Sequence, residues 1–170
     1  HIAPLKTVLS ADAASVIDSG YYVLGPGVAE FERAFAAYCG TAECIGVANG
    51  TDALELALKS VGVGVGDRVA VAANAAMYGT TAILACGAIP VFVDVDSVDA
   101  LLDVALLAET LGTGAIKAAI VTHLYGRLAR FDGIVELCRS RGVAIVEDCA
   151  QAHGARSSGR VAGSFGDVAA

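Results

Sequence analysis

The residues best suited to chemistry lie in the segment AIVEDCAQAHGA, from Ala144 to Ala155. The apolar run Val143–Val146 at its start is typical of a buried strand. Four polar residues follow within seven positions: Glu147, Asp148, Gln151 and His153. Because a buried charge requires a partner, a strand that ends in such a group predicts a binding or catalytic site at that end.

Asp148 has two candidate partners. A carboxylate beside an apolar strand suits a protonated heteroaromatic nitrogen, as where an Asp faces the pyridinium nitrogen of pyridoxal phosphate. Gln151 and His153 add hydrogen-bonding groups close by. The alternative is a metal bound by Asp148, Cys149 and His153. Their spacing matches no recognised ligand pattern, so we predict no metal.

The segment NGTDALELAL, Asn49–Leu58, places a turn and a helix start directly after an apolar run. Gly50 allows close backbone approach, Thr51 offers a hydroxyl, and the unbonded N–H groups of a first helical turn attract phosphate. A plain helix cap formed by Thr51 and Asp52 explains the same residues, so both interpretations stay open. The motif GVGVGD, Gly62–Asp67, follows a helix and precedes a strand, which predicts a turn rather than a dinucleotide fingerprint.

Strand-like and helix-like segments alternate along the chain. Apolar spacing predicts helices at Val28–Tyr38, Thr51–Val61, Ala75–Cys86, Asp99–Leu111 and Phe131–Arg141. It predicts strands at Glu43–Ala48, Arg68–Ala72, Pro90–Val93, Lys117–Thr122 and Val143–Glu147, with another beginning at Asp167–Ala170. This alternation favours an α/β fold of three layers (αβα) around a mostly parallel sheet. Ligands of such sheets gather at the carboxyl ends of the strands, where Asp148 is expected.

The composition excludes several classes of function. A net charge of -7 and a pI near 4.8 leave no basic surface for nucleic acid. The uncharged span Val69–Val93 is long enough for a membrane helix. Interior Asn, Gly, Thr and Pro residues interrupt it, so a strand, a helix and a second strand are predicted instead. The five cysteines show no CxxC spacing, and no signal peptide is recognised, so we expect a cytoplasmic protein.

Six segments occur in an order that is familiar from one family of enzymes. They are LGPGVAEFE (Leu24–Glu32), NGTDALELAL (Asn49–Leu58), GAIPVFVDVD (Gly87–Asp96), HLYG (His123–Gly126), VEDCAQAHGA (Val146–Ala155) and GSFGDVAA (Gly163–Ala170). Together they resemble the DegT/DnrJ/EryC1/StrS family of pyridoxal-phosphate-dependent sugar aminotransferases. The resemblance covers nearly the whole chain.

The resemblance implies the aspartate aminotransferase fold (fold type I), a homodimer, and transfer of an amino group from L-glutamate to a nucleotide-linked keto sugar. By similarity, Asp148 would pair with the pyridinium nitrogen of pyridoxal 5'-phosphate. Gln151 would hydrogen-bond the phenolic oxygen of the ring. Gly50 and Thr51 would hold the phosphate.

Two departures from the family pattern bear on these expectations. The family usually stacks an aromatic residue on the cofactor ring where this chain has Ala76, and the nearby Tyr78 is the candidate substitute. An alternative places Tyr78 in the core as a half-buried aromatic. The lysine that forms the Schiff base follows GDVAAFSF in the family, and the lysines of this chain stand in other contexts: Lys6, Lys59 and Lys117.

From these features we expect residues 1–170 to be the N-terminal part of the large domain, without the small C-terminal domain, and to be inactive alone. Two alternatives stay open. One is a non-catalytic or regulatory relative of the family. The other is an unrelated α/β domain that binds a phosphate-bearing ligand.

Overall fold

The computed structural model describes residues 2–170, which divide into two compact units. The first comprises the residues up to Ala37 together with Ala42–Gly46, and the second comprises Tyr38–Thr41 and Val47–Ala170. The helices are α1 (Lys6–Ser19), α2 (Pro26–Cys39), α3 (Gly50–Ser60), α4 (Tyr78–Ala85), α5 (Val104–Gly112) and α6 (Phe131–Ser140). The strands are β1 (Arg68–Ala72), β2 (Ile89–Val93), β3 (Ile116–Thr122), β4 (Ala144–Asp148), β5 (Arg156–Ser157), β6 (Arg160–Val161) and β7 (Val168–Ala169).

The second unit is built on a five-stranded sheet in the order β2-β1-β3-β4-β7. Every pairing in this sheet is parallel. The carboxyl ends of β3 and β4 are in register, so that Thr122 lies beside Asp148. Strands β5 and β6 form a separate antiparallel pair.

Helices cover both faces of this sheet. On one face α3 and α4 contribute Leu54, Leu58 and Ile83, which pack with Val71, Ile120 and Val146 of the strands. On the other face α5 and α6 contribute a second core, whose members include Leu107, Leu111, Phe131, Ile134, Val121 and Ile145. The predicted three-layer fold with a mostly parallel sheet is therefore confirmed.

Side chains of the central strands alternate between these two cores. In β4, Ile145 joins the core under α5 and α6, whereas Val146 joins the core under α3 and α4. Because this alternation has a period of two, Glu147 points to the α5/α6 face and Asp148 to the α3/α4 face. The same rule places Thr122 and His123, at the end of β3, on opposite faces of the sheet.

The span 69–93 forms β1, α4 and β2, as predicted, rather than one long helix. No helix within residues 2–170 is both long and apolar enough to cross a membrane. The motif Gly62–Asp67 forms the turn between α3 and β1, which is also as predicted.

Three predicted elements differ from the structure. Helix α4 begins at Tyr78 instead of Ala75. Helix α5 begins at Val104 instead of Asp99, because the Asp103 carboxylate caps it by accepting from the N–H groups of Ala105 and Leu106. The predicted strand Glu43–Ala48 is absent from the described residues. A strand needs a hydrogen-bonded neighbour, and here the Gly46 N–H donates to the Glu32 side chain at 2.7 Å.

Helix α1 (Lys6–Ser19) was not predicted from the sequence. None of its side chains is buried. A helix without a buried apolar stripe lacks the periodicity on which sequence-based prediction depends.

Gly166 packs directly against β4, just before β7. A Cβ atom at this position would lie 2.8 Å from the Ile145 carbonyl oxygen and 3.2 Å from a side-chain carbon of Glu147. We expect Gly166→Ala to destabilise the protein by roughly 1–3 kcal/mol, because backbone has to move to relieve the overlap. Thermal or urea unfolding measures this change.

Gly64→Ala is the matched control, since a Cβ atom there meets nothing within 4 Å. Equal stability of the Gly166→Ala variant and the Gly64→Ala control would contradict the packing described for Gly166.

Candidate functional site

The candidate site lies at the carboxyl ends of β3 and β4. Asp148 is the last residue of β4, and only 8% of its surface is exposed. Its Oδ2 atom is 3.3 Å from the hydroxyl of Thr122, and its Oδ1 atom accepts from the Ala150 N–H at 3.3 Å. An ionised carboxylate offers about four lone-pair positions. Asp148 therefore retains the capacity to accept from a further donor, and both described partners are neutral.

Gln151 is exposed, and its side chain is oriented by one contact. Its Oε1 atom accepts a hydrogen bond from the backbone N–H of Tyr125 at 3.0 Å. Because an N–H group can only donate, the oxygen end of the amide faces Tyr125. The NH₂ end is thereby left to donate elsewhere.

The first turn of α3 holds the other two predicted ligand-binding residues. Asn49, and not Thr51, is the N-cap, and its side chain accepts from the Asp52 N–H at 3.0 Å. The alternative in which Thr51 caps the helix is therefore wrong, although Asp52 does take part through a bond from Asn49 Nδ2. Gly50 and Thr51 are the first two helical residues, whose N–H groups have no intrahelical acceptor.

Helix direction places this first turn at the same edge of the sheet as Asp148. A short turn joins the end of α3 to the start of β1, and α3 packs along the face that contains Val71 and Val146. The start of α3 therefore lies toward the carboxyl ends of the strands. By the alternation in β4, Asp148 points to this same face.

Tyr78 is the first residue of α4, which follows β1, and 64% of its surface is exposed. The alternative that places Tyr78 in the core is wrong. Ala76, two residues earlier, adopts a left-handed conformation with φ 57°. Such a conformation is uncommon for a residue other than glycine. Stacking by Tyr78 on a cofactor stays a prediction.

A second polar pair, which the sequence did not predict, lies on the opposite face of the sheet. Glu147 and His123 are both fully buried, and His123 Nε2 is 3.1 Å from Glu147 Oε2. The Glu147 carboxylate also accepts three backbone N–H bonds, from Gly163 at 2.8 Å and from Phe165 and Gly166 at 2.6 Å each. The only signal in the sequence was an acidic residue inside an apolar strand.

The pKa of Glu147 reflects two opposed effects. Burial alone raises the pKa of this carboxyl, but the hydrogen bonds from His123 and the three N–H groups outweigh burial and lower it below 4.5. Glu147 is therefore an anion at neutral pH, and its charge is stabilised by hydrogen bonds.

His123, Glu147 and Cys149 lie close enough together to resemble a metal-binding group. Both nitrogens of His123 and both oxygens of Glu147 are already engaged in hydrogen bonds. Burial and the neighbouring carboxylates also raise the pKa of the Cys149 thiol far above its usual range. These contacts favour a hydrogen-bonded network at this position over a metal centre. His153, also named as a candidate ligand, is exposed.

Two of the lysines in this chain lie away from Asp148. Lys59 is at the end of α3 and pairs with Glu55 at 2.6 Å. Lys117 is near the start of β3, which is the opposite end of the strand from Thr122. Both positions are at the amino-terminal edge of the sheet.

The model of the DegT/DnrJ/EryC1/StrS aminotransferase family matches residues 6–170. The chain belongs to this family. Members have pyridoxal phosphate as cofactor, and the resemblance recognised from the sequence is confirmed.

Three relatives illustrate the similarity. A dTDP-3-amino-3,4,6-trideoxy-alpha-D-glucose transaminase from Micromonospora megalomicea subsp. nigra is 48% identical over 91% of this chain and 41% of the relative. The structure of DesV from S. venezuelae superposes with a TM-score of 0.92 and 42% identity, over 95% of this chain and 43% of DesV. Spr1654 from Streptococcus pneumoniae, solved in a PLP form, superposes with a TM-score of 0.89 and 28% identity, over 94% of this chain and 44% of Spr1654.

These alignments confirm the predicted aspartate aminotransferase-like fold. The chain spans less than half the length of the relatives that it matches.

Glu147 provides a pH-dependent test of the buried network. Because the folded-state pKa is lowered, Glu147 contributes stability above its unfolded pKa, and this contribution is lost as the pH falls through the folded pKa. We expect Glu147→Gln to reduce the free energy of unfolding by about 3–5 kcal/mol at pH 7, since a buried network loses its charged acceptor.

Urea unfolding of both proteins from pH 7 down to pH 3 measures the difference. The difference should narrow as the pH falls below the unfolded pKa of Glu147, because the stability that the charge contributes is lost progressively toward the lower folded pKa. A difference that stays constant across the whole range would show that the charge of Glu147 is not what stabilises the network.

Proposed function

We propose that the whole protein is a pyridoxal-phosphate-dependent aminotransferase that moves an amino group from L-glutamate to a nucleotide-linked keto sugar. The observation that carries the proposal is the buried Asp148 carboxylate, which has only neutral described partners and faces the side of the sheet where α3 begins. The names of the relatives support the substrate class.

The described residues fit the cofactor at both of its charged ends. Asp148 can accept from a protonated ring nitrogen, because part of its hydrogen-bonding capacity remains unused. At the other end, a Cβ atom at Gly50 would meet nothing within 4 Å, so the backbone there is open to a phosphate. The N–H groups of Gly50 and Thr51 supply donors, and the positive end of the helix dipole favours an anion.

Pyridoxal phosphate, when bound, supplies an electron-accepting ring. In our proposal Asp148 keeps the proton on the ring nitrogen, and the Thr122 hydroxyl orients the Asp148 carboxylate. Gln151 donates through its NH₂ group to the phenolic oxygen. Tyr78 covers the ring from the start of α4. These roles place every contributing side chain at one edge of the sheet.

We infer that the lysine that binds the cofactor covalently belongs to a part of the protein outside residues 1–170. Lys59 and Lys117 lie at the amino-terminal edge of the sheet, and Lys6 lies in the first unit. In this proposal residues 1–170 are the N-terminal part of the large domain, and a small C-terminal domain completes the protein. Two observations support this assignment: the family match over residues 6–170, and the alignment with only 41% of the length of a relative. We further propose a cytoplasmic homodimer.

Asp148→Asn in the whole protein tests the assignment of the site. We expect the fold to be retained and transamination to fall by at least about a hundredfold, because charge-assisted hydrogen bonds are roughly twice as strong as neutral ones and an amide cannot balance the ring's charge. The measurement is turnover of a nucleotide-linked keto sugar, with L-glutamate and L-glutamine compared as donors.

Asp132→Asn, at an exposed position in the first turn of α6, is the matched control and should keep normal turnover. Near-normal turnover in Asp148→Asn would remove Asp148 from the mechanism. A protein that binds pyridoxal phosphate but transfers no amino group would favour the non-catalytic alternative.

Thr51→Val and Asn49→Ala separate phosphate binding from helix capping. Loss of the Thr51 hydroxyl should weaken cofactor affinity by roughly 1.5–3 kcal/mol, the range for a hydrogen bond to a charged group, with little effect on stability. Loss of the Asn49 cap should instead cost about 1 kcal/mol of stability. Cofactor titration measures the affinity of each variant, and urea unfolding measures its stability. Unchanged affinity in Thr51→Val would remove the hydroxyl from the phosphate site.

A further inference from the structure

His123 connects two segments through its two ring nitrogens. Its Nδ1 atom accepts a hydrogen bond from the Ala129 N–H at 3.1 Å, so this nitrogen carries no proton. The Nε2 atom of the neutral ring therefore carries the proton and donates a hydrogen bond to Glu147 Oε2 at 3.1 Å. Glu147 thus selects the tautomer that can accept from Ala129.

The bond from Ala129 to His123 closes the segment 123–129 into a loop. The loop is tied further by the Arg127 N–H, which donates to the Leu124 carbonyl at 3.0 Å, and by the Phe131 ring, which lies 5.1 Å from the His123 ring. Within the loop Tyr125 adopts φ 59° and ψ 30°. A left-handed conformation costs about 1–2 kcal/mol for a residue with a side chain, so the surrounding contacts must hold it in place.

Tyr125 is also the residue that contacts the candidate site. Its backbone N–H donates to Gln151 Oε1 at 3.0 Å, although its own side chain is 72% exposed. The direction in which this N–H points depends on the left-handed conformation of Tyr125. The hydrogen bonds of Glu147, His123 and Tyr125, together with the backbone of the 123–129 loop, thus connect Glu147 to the Gln151 amide.

We propose that His123, oriented by Glu147, is a positioning residue that acts on Gln151 through the 123–129 loop and the Tyr125 N–H. Its effect is to direct the oxygen of the Gln151 amide toward Tyr125 and the NH₂ group toward the ligand. Gln151 is thereby prepared as a donor to an oxygen of the ligand. The part that concerns the cofactor rests on the proposed function, whereas the link between His123 and Gln151 does not.

Two substitutions at His123 separate its two hydrogen bonds. The Oδ1 atom of Asn can take the place of Nδ1, so His123→Asn keeps an acceptor for Ala129 and loses the donor to Glu147. The amide nitrogen of Gln reaches the Nε2 position, so His123→Gln keeps the donor to Glu147 and loses the acceptor for Ala129. If the role of His123 is purely structural, exchange of the loop amides should instead follow the overall stability of each variant.

Hydrogen–deuterium exchange of the whole protein, resolved at the Tyr125 and Ala129 amides, measures the link. We expect both amides to exchange about tenfold faster in His123→Gln, which corresponds to the net effect of one hydrogen bond, and to stay protected in His123→Asn. Gln151→Leu is the control, in which only the Tyr125 amide should exchange faster. The amide of Ile120, in the centre of β3, reports global unfolding in every variant.

Unchanged exchange of Tyr125 in His123→Gln would overturn the proposal, as would equal acceleration in both His123 variants. Titration with pyridoxal phosphate gives the second readout. Affinity should fall about tenfold in His123→Gln and stay near that of the native protein in His123→Asn. Failure of the native protein to bind pyridoxal phosphate would refute the proposed function, while the exchange data would still decide whether His123 controls the Tyr125–Gln151 contact.

Discussion

The buried carboxylate of Glu147 is the interaction on which the carboxyl edge of the sheet depends. An anion without solvent is tolerated only if its lone pairs are filled, and here three backbone N–H groups and one imidazole fill them. These donors come from the loop after β3 and from the segment before β7. One side chain therefore contacts both loops and connects them to β4.

Because side chains alternate along a strand, two adjacent acidic residues have different roles. Glu147 and Asp148 are neighbours in sequence, yet they point to opposite faces, each beside a residue at the end of β3. On one face the carboxylate is saturated and structural, and on the other it retains capacity for a ligand. The hydrogen-bonded Glu147 network therefore lies directly beneath the face on which Asp148 can accept from a ligand.

The sequence predicted those features that depend on local pattern. Both ends of each strand from β1 to β4 were predicted to within one residue, because unbroken apolar runs and flanking turns define them. The position of Asp148 at a strand end followed directly. The Glu147–His123 pair was missed because its members are 24 residues apart, and periodicity carries no information about such contacts. The start of α5 was misplaced because Asp96 and Asp99 also accept from nearby backbone N–H groups, as a capping residue does, whereas Asp103 is the residue that caps the helix.

Pro90 lies in β2, at one edge of the sheet. The Ile89 N–H donates toward the β1 side, to Asp67, so the nitrogen of the next residue faces outward. Proline has no N–H at this point, and a chain that approached this edge would find a missing donor beside the exposed ring of Phe92. The sheet is thus protected against extension on the β2 side. Strand β7, at the opposite edge of the described sheet, contains no proline, so each of its residues has an N–H group available for strand pairing.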